Sequence, residues 1–138
     1  MKIRKTKIIL DTNIWISFLI TKDFKKLDSL INKGNIRLLY SNELLEEFIS
    51  VAQRPKFNKY FTKEDIESLL NIFDSYGKII KIKSDVKECR DIKDNFLLNL
   101  AVDGKANYLI TGDNDLLTMQ IIHKTKIVSI SEFLKIIE

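Results

Sequence analysis

The chain has 138 residues, 45% hydrophobic and 30% charged, which fits one domain over residues 1–138 with a real core and excludes intrinsic disorder as the main description. Lys and Arg number 23 against 19 Asp and Glu, a net charge of +4 that suits a polyanionic partner but falls far short of a histone-like protein. With 4 Gly, 1 Pro and the single Cys89, the composition leaves few places for long irregular loops or tight hairpins and excludes an internal disulfide or a thiolate zinc cluster within one chain.

In chain order, basic residues 1–7 run into Ile8, Ile9 and Leu10 like the start of a secretory signal, but Asp11 and Asn13 interrupt the apolar stretch and no small-residue cleavage site follows. Residues 7–11 read as a buried strand ending in an acid. Residues 12–20 are apolar nearly all round, as in a covered helix, yet far short of the roughly 20 residues that span a bilayer. A cytoplasmic protein without a membrane segment is expected. Asp23 can cap a helix carrying Phe24, Leu27, Leu30 and Ile31, which Gly34 stops. Residues 36–40 are the second strand. Ser41 then caps a helix with Leu44, Leu45, Phe48, Val51 and Ala52 on one arc, ending before Pro55.

Thr62 caps the next helix, with Ile66, Leu69, Leu70 and Phe73 at helical spacing and Gly77 as its stop, and residues 78–82 form a third strand. A helix over about residues 94–105 leads through Gly104 into a strand at 107–111. A short helix follows Asp113, residues 126–128 form a fifth strand, and a last helix begins at Ser131. Strands alternating with helices require right-handed crossovers and a parallel sheet covered on both faces. The expected fold is therefore α/β, a three-layer α/β/α sandwich around a central parallel sheet of about five strands.

In such a sheet the functional crevice lies beyond the carboxyl ends of the strands, where strand order reverses. Asp11 closes the first strand and enters an apolar helix, so its carboxylate must leave water partly behind. Asp113 and Asp115 follow the strand ending at Thr111, and Gly112 between them would permit a sharp turn or a close approach to a ligand. A plainer role for Asp113 is capping the next helix. Asp94 shares a helical stripe with Leu97, Leu98 and Ala101, which aims it into the mouth of the sheet, while Asp91 is the alternative N-cap. Among the glutamates of the helix after Ser41, phase ranks Glu47 first for an inward role, then Glu43, then Glu46, which sits nearly opposite the apolar arc.

Asp11, Glu47, Asp94 and Asp113 would thus converge on one crevice, where clustered carboxylates raise one another's pKa unless cations join them. Hard oxygen donors without His or Cys select Mg²⁺ or Mn²⁺, and the matching chemistry is metal-assisted hydrolysis of a phosphodiester. It needs no histidine, and the only one, His123, follows a short helix and reads as a surface residue. Arg54 and Lys56, flanking the end of the helix that carries Glu47, are the candidates for phosphate contact. The remaining cations, among them Lys5, Lys7, Lys63, Lys78, Lys81 and Lys83, read as a solvated surface, and Trp15, Phe18 and Phe48 as core.

Four segments in order, residues 9–15 (Ile-Leu-Asp-Thr-Asn-Ile-Trp), Glu47-Phe48 with residues 54–57 (Arg-Pro-Lys-Phe), residues 91–95 (Asp-Ile-Lys-Asp-Asn) and residues 109–117 (Leu-Ile-Thr-Gly-Asp-Asn-Asp-Leu-Leu), resemble the PIN-domain ribonucleases, in particular the toxin components of toxin–antitoxin pairs. The resemblance spans nearly the whole chain. It implies Mg²⁺- or Mn²⁺-dependent cleavage of RNA, a homodimer, and a small antitoxin partner that blocks the site. By position, Asp11, Glu47, Asp94 and Asp113 match the family's acidic quartet and metal ligands, and Asp115 matches a further acid holding a water or second metal. Thr12, Asn13 and Thr111 fall where hydroxyl or amide groups orient the carboxylates. Two other readings compete: a phosphoacceptor domain, for which no single lysine stands out, and a non-catalytic interaction module, against which the intact acid set argues.

Overall fold

The computed structural model describes residues 5–21, 31, 36–85 and 95–136. The helix expected after Asp23, apart from the buried Ile31, lies outside the described residues, as do Cys89, Asp91 and Asp94. The elements in order are β1 (Thr6–Leu10), α1 (Thr12–Thr21), β2 (Ile36–Tyr40), α2 (Asn42–Ala52), a 3-10 turn (Pro55–Phe57), α3 (Lys63–Tyr76), β3 (Gly77–Ile79), α4 (Asn95–Gly104), β4 (Tyr108–Ile110), α5 (Asn114–Leu117), β5 (Ile121–Ile122), β6 (Thr125–Val128) and α6 (Ile130–Ile136). Among the described residues, no helix is long and apolar enough to cross a membrane.

The caps form where the sequence supplies them. Ser41 Oγ accepts from Leu44 N at 3.2 Å to start α2. Thr62 and Asp65 exchange side-chain-to-backbone bonds of 3.2 and 2.9 Å, a capping box that satisfies donors at both ends of the first turn of α3. Helix α6 begins one residue before Ser131 because the cap is Ser129, whose Oγ accepts from Glu132 N at 3.2 Å.

The strands form one sheet in the order β3-β2-β1-β4-β6-β5, parallel except for the β5–β6 pair. Alternate residues of the central strands point to opposite faces. Ile8, Leu10, Leu38 and Ile110 pack with Trp15, Leu19, Phe48, Phe73 and Phe133 from α1, α2, α3 and α6. Ile9, Leu39, Leu109 and Ile127 pack with Leu98, Ala101 and Leu116 from α4 and α5. The three-layer α/β/α expectation holds. Trp15 and Phe48 are core, and Trp15 lies 4.3 Å from Phe73 between ring centroids.

The sheet has six strands instead of five. The extra strand, β5, is two residues long and turns antiparallel onto β6 through His123 and Lys124. Scarcity of glycine did not prevent this hairpin, because Gln120 (φ 64°) and His123 (φ 51°) take the left-handed conformation themselves. Roughly 1–2 kcal/mol of strain at each is offset where Ile122, 2% exposed, joins the core. His123 is accordingly an exposed turn residue. Lys105 (φ 52°), and not Gly104, supplies the left-handed residue after α4. Gly104 lies inside the helix, where an added Cβ would come within 2.8 Å of Leu39 Cδ1. The third strand pairs over Gly77–Ile79, with Ile80 N still bonded to Tyr40 O at 2.8 Å.

Candidate active site

From the central β1 the chain builds β2 and β3 to one side, then crosses over to lay β4 and β6 on the other. Strand order therefore reverses between β1 and β4, and a crevice opens beyond their carboxyl ends. The backbone ladders continue into that crevice, with Asp11 N on Ile110 O at 3.1 Å and Thr111 N on Val128 O at 3.0 Å. Asp11 and Thr111 are thus fixed by the sheet, not by loops.

The Asp11 side chain is only 5% exposed. Its Oδ1 accepts from Ile14 N at 2.9 Å in the first turn of α1, and its Oδ2 accepts a short bond from the Thr111 hydroxyl. Burial pushes the Asp11 carboxyl above the usual carboxylate range, against the pull of the Thr111, Ile14 and Gly112 bonds, and the charge of Asp113 adds to the rise. Thr111 Oγ1 in turn accepts from Asp113 N at 3.0 Å, so one hydroxyl couples the two acids. Asp113 Oδ1 accepts from Asp115 N at 2.9 Å as the N-cap of α5. The capping role and the position at the crevice coexist.

Glu47 approaches from α2. It is half-buried, whereas Glu43 and Glu46 are exposed, and its Oε2 accepts from Thr12 Oγ1 at 2.8 Å. A cavity of about 150 Å³ is shared by Asp11, Glu47 and Asp113, with Thr12, Asn13 and Arg54 also on its wall and Val51 and Leu97 as its apolar side. Thr111 acts from behind through its hydroxyl. Asp115 is half-buried in the first turn of α5 and is not part of the cavity wall. Lys56 lines a separate hollow with Ile20, Phe57, Lys59 and Tyr60, its Nζ 5.1 Å from the Phe57 ring centre. Gly112 has an ordinary negative φ, so the turn does not require glycine. A Cβ there would meet nothing within 4 Å, which leaves the strand end open.

The donor set on the cavity is oxygen-only and suits a hard divalent cation, which would stabilise the buried Asp11 carboxylate. Among the described residues no three acidic, histidine or cysteine groups stand close enough to hold one ion together.

Val51 and Leu97 were legible only as core positions. One supporting contact had no local signal at all. Asp103 Oδ2 accepts from Lys83 N at 2.7 Å, Ser84 N at 3.0 Å and Ser84 Oγ at 3.1 Å, tying the chain after β3 to α4. Burial alone would raise the Asp103 carboxyl, but these bonds and the Lys83 charge hold it below its ordinary value. The partners lie 19 and 20 residues away, beyond any spacing rule.

A protein-family model described as a PIN domain matches residues 7–115. The chain is 35% identical over 119 residues to the uncharacterised protein MJ1680 of Methanocaldococcus jannaschii, covering 84% of this chain and 76% of that protein. Its fold is similar to that of VapBC2 from Rickettsia felis bound to a DNA fragment from its promoter, with TM-score 0.56, 18% identity, and 88% of this chain and 97% of that one covered. PAE2754 from Pyrobaculum aerophilum has the same TM-score, 0.56, at 15% identity, with 96% and 89% covered. The chain belongs to the PIN-domain family, whose members are generally nucleases.

Proposed function

We propose that the chain, as a single PIN-like domain over residues 1–138, is a Mg²⁺- or Mn²⁺-dependent endoribonuclease and the toxin of a toxin–antitoxin pair. It acts in the cytoplasm as a homodimer whose site a small antitoxin protein blocks. The observation that carries this reading is the buried Asp11 carboxylate at the strand switch point, facing a cavity shared with Glu47 and Asp113. The Rickettsia felis neighbour, a VapBC2 assembly, supports the toxin–antitoxin part.

In this reading Asp11, Glu47 and Asp113, with Asp94, would draw together around the ion when it binds, and Asp115 would hold a water or second ion. When bound, the ion supplies Lewis-acid stabilisation of phosphate oxygens and lowers the pKa of water. The chain's own groups do the positioning. Thr111 and Ile14 N fix both oxygens of Asp11, and Thr12 fixes Oε2 of Glu47. Arg54, on the cavity wall, would meet a phosphate of the substrate, and Lys56, in its separate hollow, would meet another. Val51 and Leu97 keep water off one side, which strengthens the electrostatics of the rest.

The test is cleavage of a structured RNA by the purified full chain with Mg²⁺, with Mn²⁺ and with EDTA. Cleavage with either metal and silence in EDTA is expected. Undiminished cleavage in chelator would overturn the metal dependence. Absence of cleavage with uptake of label from acetyl phosphate would instead identify a phosphoacceptor domain, and absence of both an interaction module.

A further inference from the structure

The opposite end of the sheet carries a second, larger hollow. It measures about 880 Å³ and is lined at the amino ends of the strands by seven Lys and Arg side chains, with no carboxylate among the described lining residues. These cations come from across the sheet: Lys7 on β1, Arg37 on β2, Lys78 on β3 and Lys126 on β6, with Lys105 and Lys124 on the flanking turns. Their backbones are rigidly placed. Lys7 is in register with Arg37, Tyr108 with Lys126 and Leu39 with Lys78, and Asn107 Oδ1 accepts from Lys7 N at 2.8 Å.

Gathering seven like charges in one hollow sets up repulsion that no acid among the described lining residues relieves. A polyanion would relieve it. The cavity around Asp11, Glu47 and Asp113 makes the same demand from the other side. Among its described lining residues three acids face a single cation, Arg54, which does not favour a phosphate chain before an ion binds, so cations elsewhere would add to substrate affinity. The hollow lies about 13 Å along β1 from Asp11, four residues at roughly 3.3 Å each. Its seven cations also fit a phosphate chain better than a protein. Protein docking surfaces rest on apolar and aromatic anchors, and the one aromatic here, Tyr108, is half-buried with its ring packed edge-on against Phe133 at 5.3 Å.

We propose that this basic hollow holds the phosphate backbone of the RNA strand at a distance from the bond being cut, as a second, sequence-independent contact. The identity of the polyanion rests on the ribonuclease reading; the hollow itself does not.

The test reads binding in EDTA, so that it is independent of cleavage. Fluorescence anisotropy of a labelled single-stranded RNA of roughly 16 nucleotides is followed from about 50 to about 200 mM salt. Full-length chains carrying Arg37→Gln, Lys78→Gln and Lys126→Gln together are compared with wild type. A control carries Lys63→Gln, Lys81→Gln and Lys135→Gln, which makes the same change in net charge at exposed lysines outside the hollow. The hollow variant should lose at least about tenfold in affinity, and its salt slope should be shallower by about 2, from three contacts at roughly 0.7 each. The control should stay near wild type.

Equal losses in both variants, or none in the hollow variant, would overturn the proposal. So would tighter binding of polyglutamate than of RNA, lost in the hollow variant, which would mark an acidic protein partner. If the triple variant does not fold, the single Arg37→Gln and Lys126→Gln chains should each shed about 0.7 of slope, and an unchanged slope in both refutes the assignment. A wild-type chain that binds RNA through the hollow yet never cleaves it would sink the ribonuclease reading and leave the hollow standing.

Discussion

Asp11→Asn separates folding from function because it removes a charge while keeping the shape of the side chain. In the metal-free chain the carboxylate is buried at 5% exposure, and the charge of Asp113 adds to the cost of ionising it. The sign follows from its raised pKa. The native state holds the proton more tightly than the unfolded chain does, so stability falls as pH rises through the window from the ordinary value of 3.8 up to the native one, and above that window ionised Asp11 is a net cost. In the variant, Ile14 N keeps an amide oxygen to donate to. The Thr111 hydroxyl must turn to accept from the new NH₂ while still accepting from Asp113 N at 3.0 Å. Losing charge assistance costs about 1 kcal/mol per bond, whereas an unpaired buried charge costs several kcal/mol, so the exchange should be neutral or favourable by about 1 kcal/mol. For a chain of this length that is a rise in Tm of up to about 4 °C.

Added metal should reverse the ranking. At a metal concentration of about 100 Kd the wild type gains about 2.7 kcal/mol, while a variant with tenfold weaker binding gains about 1.4 kcal/mol. RNA cleavage should fall at least about tenfold. Glu47→Gln should follow Asp11→Asn in metal response and cleavage, and Glu46→Gln, on the exposed side of α2, should leave both near wild type. The assays are thermal melts with and without Mg²⁺ or Mn²⁺ and timed RNA cleavage. An Asp11→Asn chain that melts several degrees lower without metal would refute the electrostatic reasoning, and an inactive Glu46→Gln beside an active Glu47→Gln would refute the choice of glutamate.

Because water and not the ribose 2′-OH is the expected nucleophile, products should carry no 2′,3′-cyclic phosphate, and mass spectrometry of the fragment ends decides the point. Asp103→Ala should destabilise by about 1 kcal/mol near neutral pH, since one carboxylate oxygen serves Lys83 N, Ser84 N and Ser84 Oγ. Its native pKa is lowered, so this contribution is present above the ordinary value of 3.8 and is lost as pH falls through the native one; denaturant melts should show the gap closing in acid. Gly77→Ala should cost about 1–3 kcal/mol, because its Cβ would lie 2.4 Å from Phe73 O and 2.7 Å from the Tyr40 ring, while Gly112→Ala, with nothing within 4 Å, should fold like wild type.

The strand run ending at Asp11, the arc of α2 and the capping signals at Ser41 and Thr62 were legible because each depends on residues within one or two helical turns of one another. The same locality ranked Glu47 above Glu46, since a phase difference of one residue on a helix is a rotation of about 100°. What spacing could not reveal depended on partners far apart in sequence. Strand β5 exists because two residues find an edge on β6, and the Asp103 anchor joins turns 19 and 20 residues away. The basic hollow is the sharpest case. Lys5, Lys7 and Lys78 look like ordinary solvated charges in sequence, because only the parallel register brings them beside Arg37 and Lys126 at one end of the sheet. With the acids of the crevice beyond the carboxyl ends and the cations of the hollow at the amino ends, the sheet is polarised along its strands, so on the proposed reading a polyanion would be drawn first to the basic end. It would reach the acids only where a cation offsets them, which makes RNA binding in EDTA and metal-dependent cleavage two separable measurements on one molecule.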